Sequence, residues 1–191
     1  IHGFQNAKNP NKISLINLQN HKTIRVLEDN KALKNKVDAL NLSPKEFLKV
    51  DIGDVVLDAW MIKPKNFNPN KKYPIIFYVY GEPAGSTVQD NWAGGDLWHQ
   101  YLAQQGYVVM SIDNRGTRTP RGRDWRKSIY GEVGVKSSRD QSDALNEMAK
   151  RWSFIDTDRV GIWGHSGGGS MTLNMLFRYP EQYHVGISLA P

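Results

Sequence analysis

The chain has 191 residues, a net charge of +6 at neutral pH and no cysteine. That length holds one domain with a core, or one domain and part of another. The missing cysteines exclude disulfides, thiolate metal sites and a cysteine nucleophile, and 39% hydrophobic with 23% charged residues excludes a fibre or a disordered chain.

Residues 12–18 and 23–29 alternate with period two around a polar stretch at 19–22, which predicts a β-hairpin. A lone hairpin is marginally stable in water, so this one is expected to belong to a larger sheet. Asn30 can cap a helix from Lys31, in which Leu33, Val37 and Leu40 form one apolar stripe. Ser43-Pro44 ends that segment, and residues 31–46 read as a linker helix between two domains. From Phe47 the pattern changes. Strands are predicted over Phe47–Ile52, Val55–Lys63, Pro74–Tyr80, Tyr107–Asp113, Val160–Gly164 and Val185–Ala190, and helices over Leu97–Gln105, Ser138–Trp152 and Gly167–Arg178. The first two strands read as an antiparallel pair joined at Gly53-Asp54. The later strands alternate with helices, which predicts an α/β fold with a parallel sheet. Ser138 with Gln141 fits a capping box.

The longest apolar runs, such as Ile75 to Tyr80, are too short to cross a bilayer. No basic segment leads into an apolar one at the start. A first residue that is not Met, and a last residue directly after the apolar run Val185 to Ala190, read as truncation points. Much of the positive charge sits in Arg115, Arg118, Arg121, Arg123, Arg126 and Lys127. Only Trp125 interleaves with them and no nucleic-acid motif accompanies them, so they read as a loop of solvated arginines rather than a nucleic-acid surface.

The chemistry is concentrated in residues 160–170. A short apolar strand enters a glycine-rich turn that opens a helix carrying Met171, Leu173, Met175 and Leu176. Dinucleotide binding fails on residues, because glycines do not fall at positions one, three and six. A P-loop fails for want of its lysine. Gly164-His165-Ser166-Gly167-Gly168 does fit G-x-S-x-G, the turn that pushes a nucleophilic serine out over a sheet edge. Side chains at 164 and 168 would clash where strand and helix approach. The helix begins directly after Ser166, so its free N–H groups face the oxyanion that forms there.

Further segments carry a resemblance. Tyr73 to Pro83 resembles a "YP…VYxGP" strand and turn, Asp113 to Thr117 resembles "DGRG[ST]", and Asp140-Gln141 with Ile155-Asp156 and Arg159 to Gly164 resembles "DQ…FID..RIGIWG". Lys45 to Phe47, Met61 to Pro64 and Val185 to Pro191 match the flanking strands. In order and spacing, from about residue 30 onward, the chain resembles the prolyl oligopeptidase family of serine peptidases, of the dipeptidyl peptidase IV type. The resemblance implies a truncated α/β-hydrolase domain over residues 47–191, preceded by the last hairpin of a β-propeller at 1–30 and the linker at 31–46. It implies Ser166 as nucleophile, Tyr80 as side-chain donor of the oxyanion hole and the backbone N–H of Gly167 as second donor. It also implies a peptide substrate, with dipeptides released from free amino termini, and a secreted or periplasmic enzyme. It leaves room for a homodimer of the parent protein. No metal or organic cofactor is expected, since no zinc-type histidine spacing is present.

Three residues depart from that pattern. Gly167 stands where dipeptidyl peptidase IV has a tyrosine that helps wall the proline pocket, His165 replaces its tryptophan, and Glu82 replaces a small residue. A preference for proline is therefore left open. The serine also needs a histidine base and a carboxylate. After Ser166 stand only Glu181 and His184, at the far end of the helix, roughly 20 Å away at ~1.5 Å per residue. His165 reads as packing, and His99, His2 and His21 have no route to the serine. The resemblance puts the Asp and His of the triad beyond Pro191, so the isolated chain is expected to be inactive. An acylaminoacyl peptidase or esterase on the same scaffold, and a noncatalytic binding protein that retains the fold, are the rival readings.

Overall fold

The computed structural model describes residues 1–92 and 96–191. The first 28 residues form an antiparallel three-stranded sheet of β1 (His2–Asn6), β2 (Asn9–Ile16) and β3 (Thr23–Glu28), in the order β1-β2-β3. The expected hairpin is β2 and β3, and β1 adds a strand that the alternation did not reveal. Its sequence His-Gly-Phe-Gln-Asn has too few β-branched residues to signal a strand. In the β2–β3 turn the Asn17 side chain accepts from the backbone N–H of Gln19 at 2.8 Å, an Asx turn. All of β3 is exposed.

Helix α1 (Lys31–Ala39) is shorter than the helix predicted over 31–46. Asn41 takes a left-handed conformation at φ 51° and ends it. Pro44 keeps Ser43 out of the helical region, and Lys45 and Glu46 already belong to the next strand. Asn30 occupies the cap position without capping through its side chain, which donates instead to the Asn11 carbonyl at 2.5 Å. The stripe of Leu33, Val37 and Leu40 is not buried.

The second sheet has six strands: β4 (Lys45–Asp51), β5 (Val56–Ile62), β6 (Tyr73–Tyr78), β7 (Val108–Asp113), β8 (Ile155–His165) and β9 (Val185–Leu189). Their spatial order is β4-β5-β7-β6-β8-β9. The pairs β4·β5 and β5·β7 are antiparallel, and β7, β6, β8 and β9 run parallel. Helices α2 (Leu97–Gln104), α3 (Gly122–Lys127), α4 (Lys136–Arg151) and α5 (Gly167–Arg178) connect them. The predicted α/β alternation is therefore present, with β8 reaching back to Ile155 and α3 inserted where only a loop was expected. Central β7 is buried along its whole length, as its unbroken Val-Val-Met-Ser-Ile run requires of a strand covered on both faces. On one face Phe77, Met110 and Ile162 pack with Leu145 and Met148 of α4 and Met171 and Met175 of α5. On the other, Trp60, Ile62 and Val109 pack with Leu102 and Ala103 of α2. On edge strand β9 the side chains of Val185, Ile187 and Leu189 are exposed.

The capping box at Ser138 is absent. Helix α4 begins at Lys136 after Val135, and Gln141 is drawn into the sheet instead, donating to the Ile112 carbonyl at 2.8 Å and to Asn114 Oδ1 at 3.0 Å. The arginine segment is also more structured than a solvated loop. Arg121 donates to Asp58 and stacks over Trp125 at 4.4 Å. Arg115 makes a fork onto Asp140, with Nη2 2.6 Å from Oδ1 and Nε 3.0 Å from Oδ2, and its Nη1 reaches Asp54 at 2.7 Å. This contact with Asp140 raises the guanidinium's pKa above its ordinary value. Arg118, Arg123, Arg126 and Lys127 are the exposed members. Asp140 is fully buried. Replacing Arg115 by Met strands that carboxylate without a cation, which costs about 3–5 kcal/mol. Thermal unfolding of the intact protein is expected to shift down accordingly, and an unchanged midpoint would contradict this account.

Candidate active site

The turn between β8 and α5 carries the candidate nucleophile. Ser166 sits at φ 58°, ψ −122°, a conformation that L-residues seldom adopt. Such strain costs on the order of 1–3 kcal/mol and persists only where the surroundings over-determine it. Here they do. A Cβ on Gly164 would lie 2.5 Å from the Val79 carbonyl oxygen and from the backbone of Gly168, and a Cβ on Gly168 would lie 2.1 Å from that same carbonyl. Only glycine at both positions lets β8, α5 and the end of β6 approach this closely. Ser166 N–H donates to the Leu189 carbonyl at 2.9 Å, which ties the turn to β9. Ser166 is exposed and the three glycines after it are buried, so the serine stands out above a packed helix end.

Tyr80, one residue beyond Val79, lies beside this turn. Its Cα is 3.3 Å from the Cβ position of Gly168. Its ring lies against Gly85, where a Cβ would meet ring carbons at 3.2 Å. The sequence-predicted trio of Ser166, Tyr80 and Gly167 is thus assembled at one end of the sheet. The backbone N–H of Gly167, at the first helical position, has no acceptor within the helix, and the positive end of α5 faces the same space.

A supporting layer escaped the sequence reading. Asn114 is buried and donates to the Gly81 carbonyl at 3.1 Å, holding the chain next to Tyr80. Asp113 accepts from the backbone N–H groups of Thr87 at 2.8 Å and Val88 at 3.2 Å, fixing the loop that follows. Burial pushes the Asp113 carboxyl up from its ordinary range. Gly81, at φ 78°, packs on Met171, whose Cγ would be 2.2 Å from a Cβ there. Residues 113–117 were legible only as a motif; the contacts give that motif its task of holding the Tyr80 turn onto the sheet.

The histidines sort as follows. His184 N–H donates to the Val160 carbonyl at 2.9 Å, midway along β8 rather than at its Ser166 end. Six residues of extended strand separate them, about 20 Å. Glu181 is exposed in the same connection. His165, read as packing, is exposed at the strand end. His99 is buried on the opposite face among Trp60, Tyr78 and Trp163, with ring centroids 5.1–5.6 Å away. Among the described residues no group of three or more acidic, histidine or cysteine side chains could hold a metal ion, and no helix is long and apolar enough to cross a membrane.

Residues 96–191 match the model of the prolyl oligopeptidase family. Bovine prolyl endopeptidase FAP is 35% identical over 169 residues, covering 88% of this chain and 22% of that protein. A probable dipeptidyl-aminopeptidase B of Ajellomyces capsulatus is 35% identical over 173 residues, covering 87% and 18%. The crystal structure of Porphyromonas gingivalis dipeptidyl peptidase 4 superposes with a TM-score of 0.91 at 36% identity, covering 97% of this chain and 26% of that one. A putative dipeptidyl aminopeptidase IV from Bacteroides ovatus does so with a TM-score of 0.86 at 32% identity and the same coverage. The chain thus spans about a fifth of the length of the curated relatives it matches. With the strained serine turn, the strand order and these likenesses together, the chain belongs to the prolyl oligopeptidase family.

Proposed function

We propose that the protein to which this chain belongs is a serine peptidase that releases dipeptides from peptide amino termini. The observation that carries the reading is Ser166, held exposed at φ 58° by two glycines that no other residue could replace without meeting the Val79 carbonyl. In this reading Ser166 Oγ attacks the scissile carbonyl carbon while its proton passes to a histidine base. The carbonyl oxygen becomes an oxyanion that accepts from the Tyr80 hydroxyl and the Gly167 N–H. Collapse breaks the C–N bond, the protonated base gives its proton to the leaving amine, and the acyl group stays on Ser166 until water hydrolyses it. The base and its carboxylate come from outside these 191 residues. Residues 47–191 are the first part of an α/β-hydrolase domain. The sheet β1-β2-β3 is the end of a β-propeller, and α1 with its connection is the link between the two.

The test uses the intact enzyme on chromogenic dipeptides with free and with blocked amino termini. Hydrolysis is expected only where the amine is free. Equal hydrolysis of blocked substrates would move the assignment to an acyl-peptidase or esterase on the same scaffold.

A further inference from the structure

The half-buried Glu82 side chain lies over Gly167. A Cβ on Gly167 would meet Glu82 Oε2 at 2.5 Å, Cδ at 2.6 Å and Cγ at 3.0 Å. The carboxylate therefore fills the space that a side chain at position 167 would occupy, directly beside the candidate nucleophile. Two features that look independent in the sequence, a glycine after the serine and an acid after Gly81, are one structural unit. The turn that presents Glu82 is fixed: the Gly81 carbonyl is held by buried Asn114, and Gly81 packs on Met171. No cation pairs with Glu82 among the described residues.

This arrangement has an electrostatic consequence. The oxyanion forms at the start of α5, next to the Gly167 N–H, and a carboxylate a few Å from it disfavours a second negative charge. A substrate that brings its own cation to Glu82 removes that penalty in the transition state and gains a charge-assisted hydrogen bond. A neutral substrate does neither. We infer that Glu82 is a specificity-determining residue that selects substrates carrying a cationic group close to the scissile carbonyl, the side chain of a lysine or arginine at the cleaved residue. The inference rests on the reading of Ser166 as nucleophile.

The experiment compares kcat and KM of the intact enzyme on dipeptidyl substrates that end in lysine or in its uncharged isostere norleucine, each with the amino terminus free and blocked. The same set is run with Glu82→Gln, and with Gly167→Ala, whose methyl group displaces the carboxylate while keeping the backbone N–H. The wild-type enzyme is expected to prefer lysine, and the lysyl-to-norleucyl ratio of kcat/KM is expected to fall about 10–100-fold in Glu82→Gln, with the same direction in Gly167→Ala. In Glu82→Gln the loss is expected chiefly in kcat and for lysine rather than norleucine, a pattern that a structural role for Glu82 would not produce. Equal wild-type rates for lysine and norleucine, or equal losses of both in the variant, overturn the inference while leaving the peptidase reading intact. If Glu82→Gln instead removes only the dependence on a free amino terminus, the cation is the terminal ammonium and the assignment to the side chain is overturned. No turnover of any substrate, with Ser166 unlabelled by a fluorophosphonate, overturns the peptidase reading and this inference with it.

Discussion

With Ser166 as the proposed nucleophile, alanine in its place in the intact protein is expected to abolish labelling by a fluorophosphonate and to lower kcat by on the order of 10⁴–10⁶, because the proposed reaction loses its covalent route. The residue is exposed, so thermal unfolding should move little. Ser166 already occupies φ 58°, and alanine meets the same backbone strain there. The change therefore separates chemistry from folding. An enzyme that kept its labelling or more than a hundredth of its turnover would show that another residue is the nucleophile, and the noncatalytic reading would gain if the unsubstituted protein also failed to label.

The second large effect concerns Tyr80. Phenylalanine retains the ring that lies against Gly85 and deletes only the hydroxyl. If that hydroxyl donates to the oxyanion, kcat should fall on the order of 10²–10³ with KM changed only a few-fold, since the bond strengthens in the transition state and contributes little to ground-state binding. Steady-state kinetics on one amine-free dipeptide substrate suffices. A loss of less than about threefold would leave the backbone N–H of Gly167 as the donor and assign Tyr80 to packing. The supporting contacts from Asn114 and Asp113 predict that the ring stays in place in the variant, because they hold the turn through Gly81 and through residues 87–88 rather than through the tyrosine.

In the proposed mechanism Glu82 and Tyr80, which lie on the same turn, act on the same charge in opposite senses. A hydroxyl stabilises the oxyanion, and a neighbouring carboxylate opposes it until a cation arrives. Their effects are therefore expected to be non-additive for lysyl substrates, as for any two groups that share a partner.

Whatever depends on neighbours along the chain was open to reading before the fold was known. The elbow was legible because its requirements are contiguous in the chain: two glycines for close approach, one serine at the turn, an apolar strand before and an apolar helix after. The alternation of strands and helices was legible for the same reason, since each element declares its period over a few turns. Whatever depends on residues far apart in the chain emerged only from the folded molecule. The order β4-β5-β7-β6-β8-β9 follows from crossovers that no local pattern encodes. Gln141 and Ser138 matched a capping box in the sequence, yet Gln141 bonds the sheet, 27 and 29 residues away. Arg115 read as one of six solvated cations, and its partner Asp140 lies 25 residues on. Glu82 and Gly167, 85 positions apart, could be seen separately as departures from a pattern but not as a single wall. Strand periodicity is set by the backbone; the pairing of charges across a sheet end is set by which loops the fold brings together, and that is fixed only when the core has closed.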